Sequence, residues 1–260
     1  MIKYGNKNIK SIIIHTGEPV SIDKFAMNQA PVGDIVLDDS VSSIPENAFR
    51  NKPITSISGE NVTSIASQAL NGTKITSITD ENFPKLGVSF NWYVLLRLPS
   101  TCRSIKLSGE KLSLGSGSGA LRYCYGLVTA EFPNANKNSF ASNNNAGNYC
   151  MGNCTNLELA DLGFVPGIGA NVFNGDSKFS TLIIRKKNQI VSLSNISAFT
   201  GTKFANGGSG GTIYIPKVMY DHLGDGGTLD YKAATNWVTV DGYGTITWAK
   251  IEGSEWELDS

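Results

Sequence analysis

A recurrence of 21 residues limits what this chain can fold into more than any other feature. Val41-Ser42-Ser43-Ile44-Pro45-Glu46-Asn47-Ala48-Phe49 returns as Val62-Thr63-Ser64-Ile65-Ala66-Ser67-Gln68-Ala69-Leu70, an offset of 62 − 41 = 21 with every apolar position kept. A second segment shares that period: Ile54-Thr55-Ser56-Ile57 returns as Ile75-Thr76-Ser77-Ile78, again 75 − 54 = 21. An apolar-x-x-Ile unit is too short to close a core, but stacked copies place like residues in continuous buried ladders. Ser and Thr between the Ile positions suit the turns, because their hydroxyls satisfy backbone groups locally and Thr tolerates extended structure. Asn71-Gly72 and Ser58-Gly59 are expected to mark bends.

The second half repeats through another part of the unit. Cys102-Arg103-Ser104-Ile105, Cys124-Tyr125-Gly126-Leu127, Cys154-Thr155-Asn156-Leu157 and Asp176-Ser177-Lys178-Phe179 fit one template, Cys (or Asp)-x-x-apolar, at offsets of 22, 30 and 22. The longer offset accommodates an Asn- and Ala-rich insertion, Asn134 to Asn148, expected to loop out of the stack. Thr181-Leu182-Ile183-Ile184-Arg185 and Gly211-Thr212-Ile213-Tyr214-Ile215-Pro216 read as strands.

Composition agrees with turns and strands: 28 Gly, many Ser, Thr and Asn, and 40% hydrophobic residues in a 260-residue chain, enough to fill a core. Twenty-two basic residues balance twenty-two acidic ones, so no net field draws the chain to nucleic acid or an anionic membrane. No stretch approaches the roughly 18 apolar residues of a membrane span, and membrane insertion is not expected. The opening Met1-Ile2-Lys3-Tyr4-Gly5-Asn6-Lys7 lacks the apolar run of a signal peptide. Action outside a cell would then require lysis, attachment to a particle or prior loss of a leader. Four cysteines are too few for a disulfide scaffold.

Ser43 to Phe49, Cys154 to Leu157 and Ala198-Phe199-Thr200-Gly201-Thr202 resemble the BspA-like class of leucine-rich repeats. The ending, Ile213-Tyr214-Ile215-Pro216-Lys217 followed by Tyr231-Lys232-Ala233-Ala234-Thr235-Asn236-Trp237, resembles the strand and short helix that close such arrays in gut-bacterial and phage proteins. The resemblance spans roughly residues 35 to 256 and weakens between Lys85 and Gly119, where the period lapses. It implies a mainly β, right-handed leucine-rich-repeat β-solenoid with short helical turns. On that reading residues 1–34 are an N-terminal attachment or capping segment, 35–216 irregular repeats, and 217–260 a C-terminal cap holding Trp237, Trp248 and Trp256. An insertion, Gly224-Asp225-Gly226-Gly227-Thr228, departs from the family ending.

By the same resemblance the chain is expected to be non-enzymatic: a phage tail, fibre or other virion component, or alternatively a bacterial cell-surface adhesin. The opening Ile2 to Ile12 is similar to N-terminal segments of phage tail-associated proteins and tilts the expectation towards the virion. The implied partners are protein or glycan on a host surface, or neighbouring virion subunits. Homo-oligomers, often trimers in such fibres, fit the same picture.

Other chemistry fails on its own terms. Cys150-x-x-x-Cys154 supplies two thiolates, but Cys102, Cys124, His15 and His222 are too scattered to complete a zinc site. The thiols are expected to act as small buried hydrophobes, with Cys150, beside the insertion, the exception. Gly207-x-Ser209-x-Gly211 lacks the preceding strand and following helix of a nucleophile elbow and reads as a turn. Gly115 to Gly119 lacks the Lys-Ser/Thr ending of a phosphate loop. Asp221, Asp225, Asp230 and Asp241 miss calcium-loop spacing. No cofactor is expected. Glu158 and Asp161 are the nearest carboxylate pair for glycan hydrolysis, set against the more ordinary role of solvating a face. Asn-x-Ser/Thr triplets at Asn61, Asn71, Asn153 and Asn195 are expected to serve turns. Aromatic residues give the better lead: Trp92, Tyr93 and Tyr149, with Asn143 and Asn144 of the insertion, are the candidate binding surface, and Tyr123 and Tyr125 flank the Cys positions.

Overall fold

The computed structural model describes residues 11–14, 33–86, 95, 97–109, 120–135, 150–164, 168–185, 196–205, 207–216 and 246–251. Twelve strands are formed by these residues: β1 (Ser11–Ile14), β2 (Asp34–Leu37), β3 (Ser43–Ile44), β4 (Ser56–Gly59), β5 (Ser64–Ile65), β6 (Ser77–Thr79), β7 (Ser104–Lys106), β8 (Thr129–Glu131), β9 (Leu159–Asp161), β10 (Thr181–Ile183), β11 (Gly211–Pro216) and β12 (Ile246–Ile251). The one helical piece among them is a 3₁₀ turn, Ile196–Phe199. Every pairing is parallel. The order is β1-β2-β4 in one sheet, β6 through β12 in sequence in a second, and β3-β5 in a third. β4 and β6 do not pair as strands, but Lys74 N–H to Ile54 C=O (2.7 Å) and Gly59 N–H to Asn82 C=O (2.9 Å) at their flanks join the two coils, so the second sheet stacks on the first. The fold is thus a β-solenoid whose strands run from Ser11 to Ile251.

Strands this short are useful only in a stack. In β6, β7 and β8 one residue, Ile78, Ile105 or Ala130, faces inward between two outward neighbours. In-register pairing aligns Ile35 with Ile57, Ile78 with Ile105, and Ile105 with Ala130, Ala160, Leu182 and Ile213 in turn, all buried. Three residues earlier runs a second buried column, Ile54, Ile75, Cys102, Leu127, Leu157 and Phe179. Two residues after the central position lie Leu107, Phe132, Leu162, Ile184 and Ile215. Large Phe132 and Leu162 follow small Ala130 and Ala160, keeping the coil's volume filled. The interior is richest in rings near Phe173, Phe179, Phe199 and Phe204; Phe173 and Phe179 stack at 4.1 Å between centroids.

Both 21-residue offsets are confirmed: Ser43-Ile44 pairs with Ser64-Ile65, and the Ile54 coil bonds to the coil of Ile75. The later offsets vary, from 22 (Leu159 to Thr181) through 25 (Ser104 to Thr129) and 30 (Thr129 to Leu159) to 35 (Gly211 to Ile246). That variation corrects the cysteine template. Cys124, Cys154 and Asp176 occupy one corner, each donating its N–H to the carbonyl three residues back, and each followed three residues later by the buried Leu127, Leu157 or Phe179. Cys102 sits three residues further on, in the column of Leu127, because Pro99 takes the corner in its coil.

Ser58-Gly59 is not a bend. It ends β4, and a Cβ on Gly59 would lie 2.6 Å from Val62 Cγ2, so packing rather than turning demands glycine there. Polar side chains are used between coils as well as within them. Thr55, Thr63 and Thr101 hydroxyls donate to Gly33, Ser42 and Ile75 carbonyls at 2.7, 3.1 and 2.7 Å. Asn61, Asn71, Asn134 and Asn156 amides donate to Asp39, Arg97, Ser108 and Tyr125 carbonyls at 2.7 to 2.8 Å. An Asn- and Thr-rich composition is therefore what the spaces between successive coils require.

Candidate functional site

Each coil turns a corner two residues after a buried apolar side chain, and the corner residue is left-handed. Asn51, Gly72, Arg97, Tyr123, Asn153, Gly175 and Gly201 form this column, with φ from +56° to +83°. Gly and Asn reach that region at low cost, whereas other L-residues lose roughly 1–2 kcal/mol there. A Cβ on Gly175 would stand 2.9 Å from Asn153 Oδ1, so the corners also stack closely. Arg97 (φ +56°) and Tyr123 (φ +64°) are the exceptions, in adjacent coils. Gln68 (φ +56°) and the buried Leu95 (φ +55°) share this conformation elsewhere in the coils, so what sets Arg97 and Tyr123 apart is that they succeed one another in the corner column.

These two residues line a groove of about 630 Å³ that crosses three successive coils, within the size range of ligand pockets. Asn71 to Lys74 form one wall, Arg97 to Ser100 the middle, and Tyr123 with Tyr125 the far side. Asn71 fixes the middle by donating its side-chain amide to Arg97 C=O (2.8 Å), while Arg97 N–H donates to Arg122 C=O (3.3 Å). The Tyr123 ring has the Arg122 guanidinium 4.6 Å and the Arg97 guanidinium 5.6 Å from its centroid, within cation–π range. Tyr125 lies 6.0 Å from Tyr123 at 45° and is 51% exposed. Lys74 and Arg97 are exposed, and no carboxylate lines the groove among the described residues.

Trp92, Tyr93, Asn143, Asn144 and Tyr149 lie outside the described residues, as do His15, His222, Trp237, Trp256, the Gly115 to Gly119 run and the four calcium-candidate aspartates. Tyr123 and Tyr125, noted beside the cysteines, are the aromatics that the structure brings together. Arg97 was hidden from sequence reading because the period lapses between Lys85 and Gly119, whereas Lys74 lies in the regular repeat, at the position of Pro53, where no residue pattern marks it. The column Asn51, Gly72 extended by its own interval falls at 72 + 21 = 93, four residues short of Arg97, so spacing alone does not find this corner.

The cysteines are interior. All four are unpaired thiols at 0–1% exposure, and Cys150 is as buried as the rest, which corrects the expectation that it differs. Burial pushes Cys102 and Cys150 up to about 12 and raises Cys154 well above the ordinary thiol, with Cys124 and Asp176 adding to the effect on Cys154. Such thiols are poor nucleophiles and poor metal ligands. Cys124 and Cys154 donate S–H to Leu95 and Leu121 carbonyls of the preceding coil (3.3 and 3.1 Å). Asp176 continues the corner: Oδ1 accepts Cys154 N–H at 2.7 Å, and desolvation lifts its carboxyl to about 9, so it is a neutral acid at pH 7.

Asp161 is 1% exposed and held by Arg185, whose Nε lies 3.0 and 2.8 Å from the two carboxylate oxygens. Glu158 is on the outside of the coil. The pair singled out as a candidate for hydrolysis is thus split between interior and solvent. Among the described residues no three His, Cys, Asp or Glu side chains gather to hold a metal, and no helix is long and apolar enough to cross a membrane.

The sequence has likenesses of one kind. No curated protein and no solved structure matches it. The family model for the BspA type leucine rich repeat region matches residues 4–91 in 6 copies. That match includes both 21-residue offsets and ends inside the stretch where the period lapses. Repeats of this type suggest a binding, adhesin-type protein, and coils continue to stack beyond the matched stretch: residues 4–91 of the chain are a BspA type leucine rich repeat region.

Proposed function

We propose that this chain is a non-enzymatic binding module on an outer surface, a tail, fibre or other component of a phage particle that contacts a host surface or neighbouring virion subunits. The observation that supports a binding role is the exposed groove at Arg97 and Tyr123, where two of the seven corners among the described residues keep strained Arg and Tyr side chains in place of Gly or Asn. Absence of catalysis is supported by the fate of the reactive groups: thiols with raised pKa, and Asp161 tied to Arg185. Placement on a virion is supported by the likeness of residues 2–12 to tail-associated segments and is tested by mass spectrometry of purified particles. Peptides from this chain at stoichiometric level are the expected result; their absence from particles would refute that placement. The BspA-type repeats favour a second reading, a bacterial surface adhesin, for which protease shaving of intact cells would release the same peptides.

A further inference from the structure

Among the surface features, the groove over the corner column has both a shape and a chemical preference. We propose that it binds an acidic saccharide, a sugar chain bearing carboxylates, with Tyr125 and Tyr123 as the platform for pyranose rings and Arg97 and Lys74 as the partners of the carboxylate. This rests on the surface-binding role argued above and names its ligand class.

Three observations carry it. First, the charge is local: a chain with a formal net charge of +0 places Lys74 and Arg97 in one groove whose lining, among the described residues, has no Asp or Glu. Neither side chain has an ion-pair partner among the described residues, where the pairs are Lys106 with Glu131 and Arg185 with Asp161. Second, the exposed Arg97 guanidinium lies 5.6 Å from the Tyr123 ring centroid, so a planar carboxylate paired with it would sit beside the aromatic face. Third, Tyr125 is 51% exposed beside Tyr123, an amphipathic face suited to the C–H side of a sugar ring with hydroxyls at its rim. Asn71 and Ser100 supply polar groups along the same walls. A nucleic acid strand would need a track of cations along its phosphates, which two exposed cations in an electrically neutral chain do not make. An acidic peptide would satisfy Arg97 but has less use for two adjoining rings.

The test is isothermal titration of the full chain with trigalacturonate, with its fully methyl-esterified form, with oligo-Glu peptide and with oligo(dT). Binding of trigalacturonate at least about tenfold tighter than of its neutral ester is expected, weakened about tenfold or more in Arg97→Gly and Tyr125→Ala. Arg97→Gly relieves a left-handed corner, so its thermal midpoint should hold or rise while binding falls, which separates lost contact from lost fold. Equal binding of acid and ester, no binding of either, binding unchanged in both variants, or tighter binding of oligo-Glu or oligo(dT) would overturn the proposal. Adsorption of the wild-type and variant chains to host cells distinguishes the two readings. Wild type and variants adsorbing alike leave the surface role standing and remove the groove from it; tight trigalacturonate binding with no adsorption leaves the groove and removes the surface role.

Discussion

The residue at the left-handed corner sets the local stability of each coil. Gly175 has φ +83° and no room for a Cβ beside Asn153 Oδ1. Gly175→Ala is therefore expected to cost about 1–3 kcal/mol in urea unfolding, whereas Arg97→Gly, at an exposed corner of φ +56°, should raise stability by up to about 1 kcal/mol. A second residue-scale effect is the pH dependence from Asp176. Its carboxyl titrates near 3.8 when unfolded and about 9 when folded, so the native state holds one more proton between those values. Stability from this group is complete below about pH 4 and is lost as pH rises towards 9. Asp176→Asn keeps an acceptor for Cys154 N–H and removes the titration. The difference in thermal midpoint between pH 5 and pH 9 should then shrink relative to wild type, and an unchanged difference would mean that Asp176 is charged when folded. Asp176, read from the sequence only as a variant of a cysteine position, is in fact the neutral end of a Cys124, Cys154, Asp176 corner. That distinction depends on burial, which spacing does not report.

Strands and columns were the readable part of the sequence where the interval between them is constant. Ile44 and Ile65, or Ile57 and Ile78, recur at 21 residues, so apolar identity alone revealed their common environment. In the second half the intervals change because loops of different length join the same corners, and Cys102 was aligned with Cys124 through a coincidence of spacing. Pro99 has no side chain resembling Cys, so nothing in the residue types marked it as the true corner equivalent. The columns have unequal energetic weight. Leu157→Ala empties one position of a fully buried ladder and should cost about 2–5 kcal/mol. Two ion pairs between adjacent or nearby coils sharpen the comparison. Arg185→Ala strands the 1% exposed Asp161 carboxylate and should cost about 3 kcal/mol. Lys106→Ala at the largely solvated pair with Glu131, 3.6 Å apart, should cost under about 1 kcal/mol by the same denaturation measurement.

At the scale of the whole molecule, a solenoid separates what holds the fold from what the fold presents. The ladders fill the interior, and the outward positions and corners are free to vary, which is why a strained Arg97 and Tyr123 can persist beside conventional Gly and Asn corners. The architecture was legible from recurrence, but the groove was not, because it combines side chains from three coils whose spacing the sequence conceals. Stacking itself has a direct test in pairwise spin-label distances. Ser77, Leu159, Thr181 and Thr212 occupy the same outward register of β6, β9, β10 and β11, and the four native thiols are buried and resist labelling. Labels on Ser77→Cys combined with Leu159→Cys, Thr181→Cys or Thr212→Cys span three, four and five strand spacings. The separation should rise steadily, by about 4.8 Å for each added coil, through roughly 14, 19 and 24 Å before the label tethers are included. Distances that fail to increase in that order, or that are alike for all three pairs, would contradict a coil-upon-coil stack.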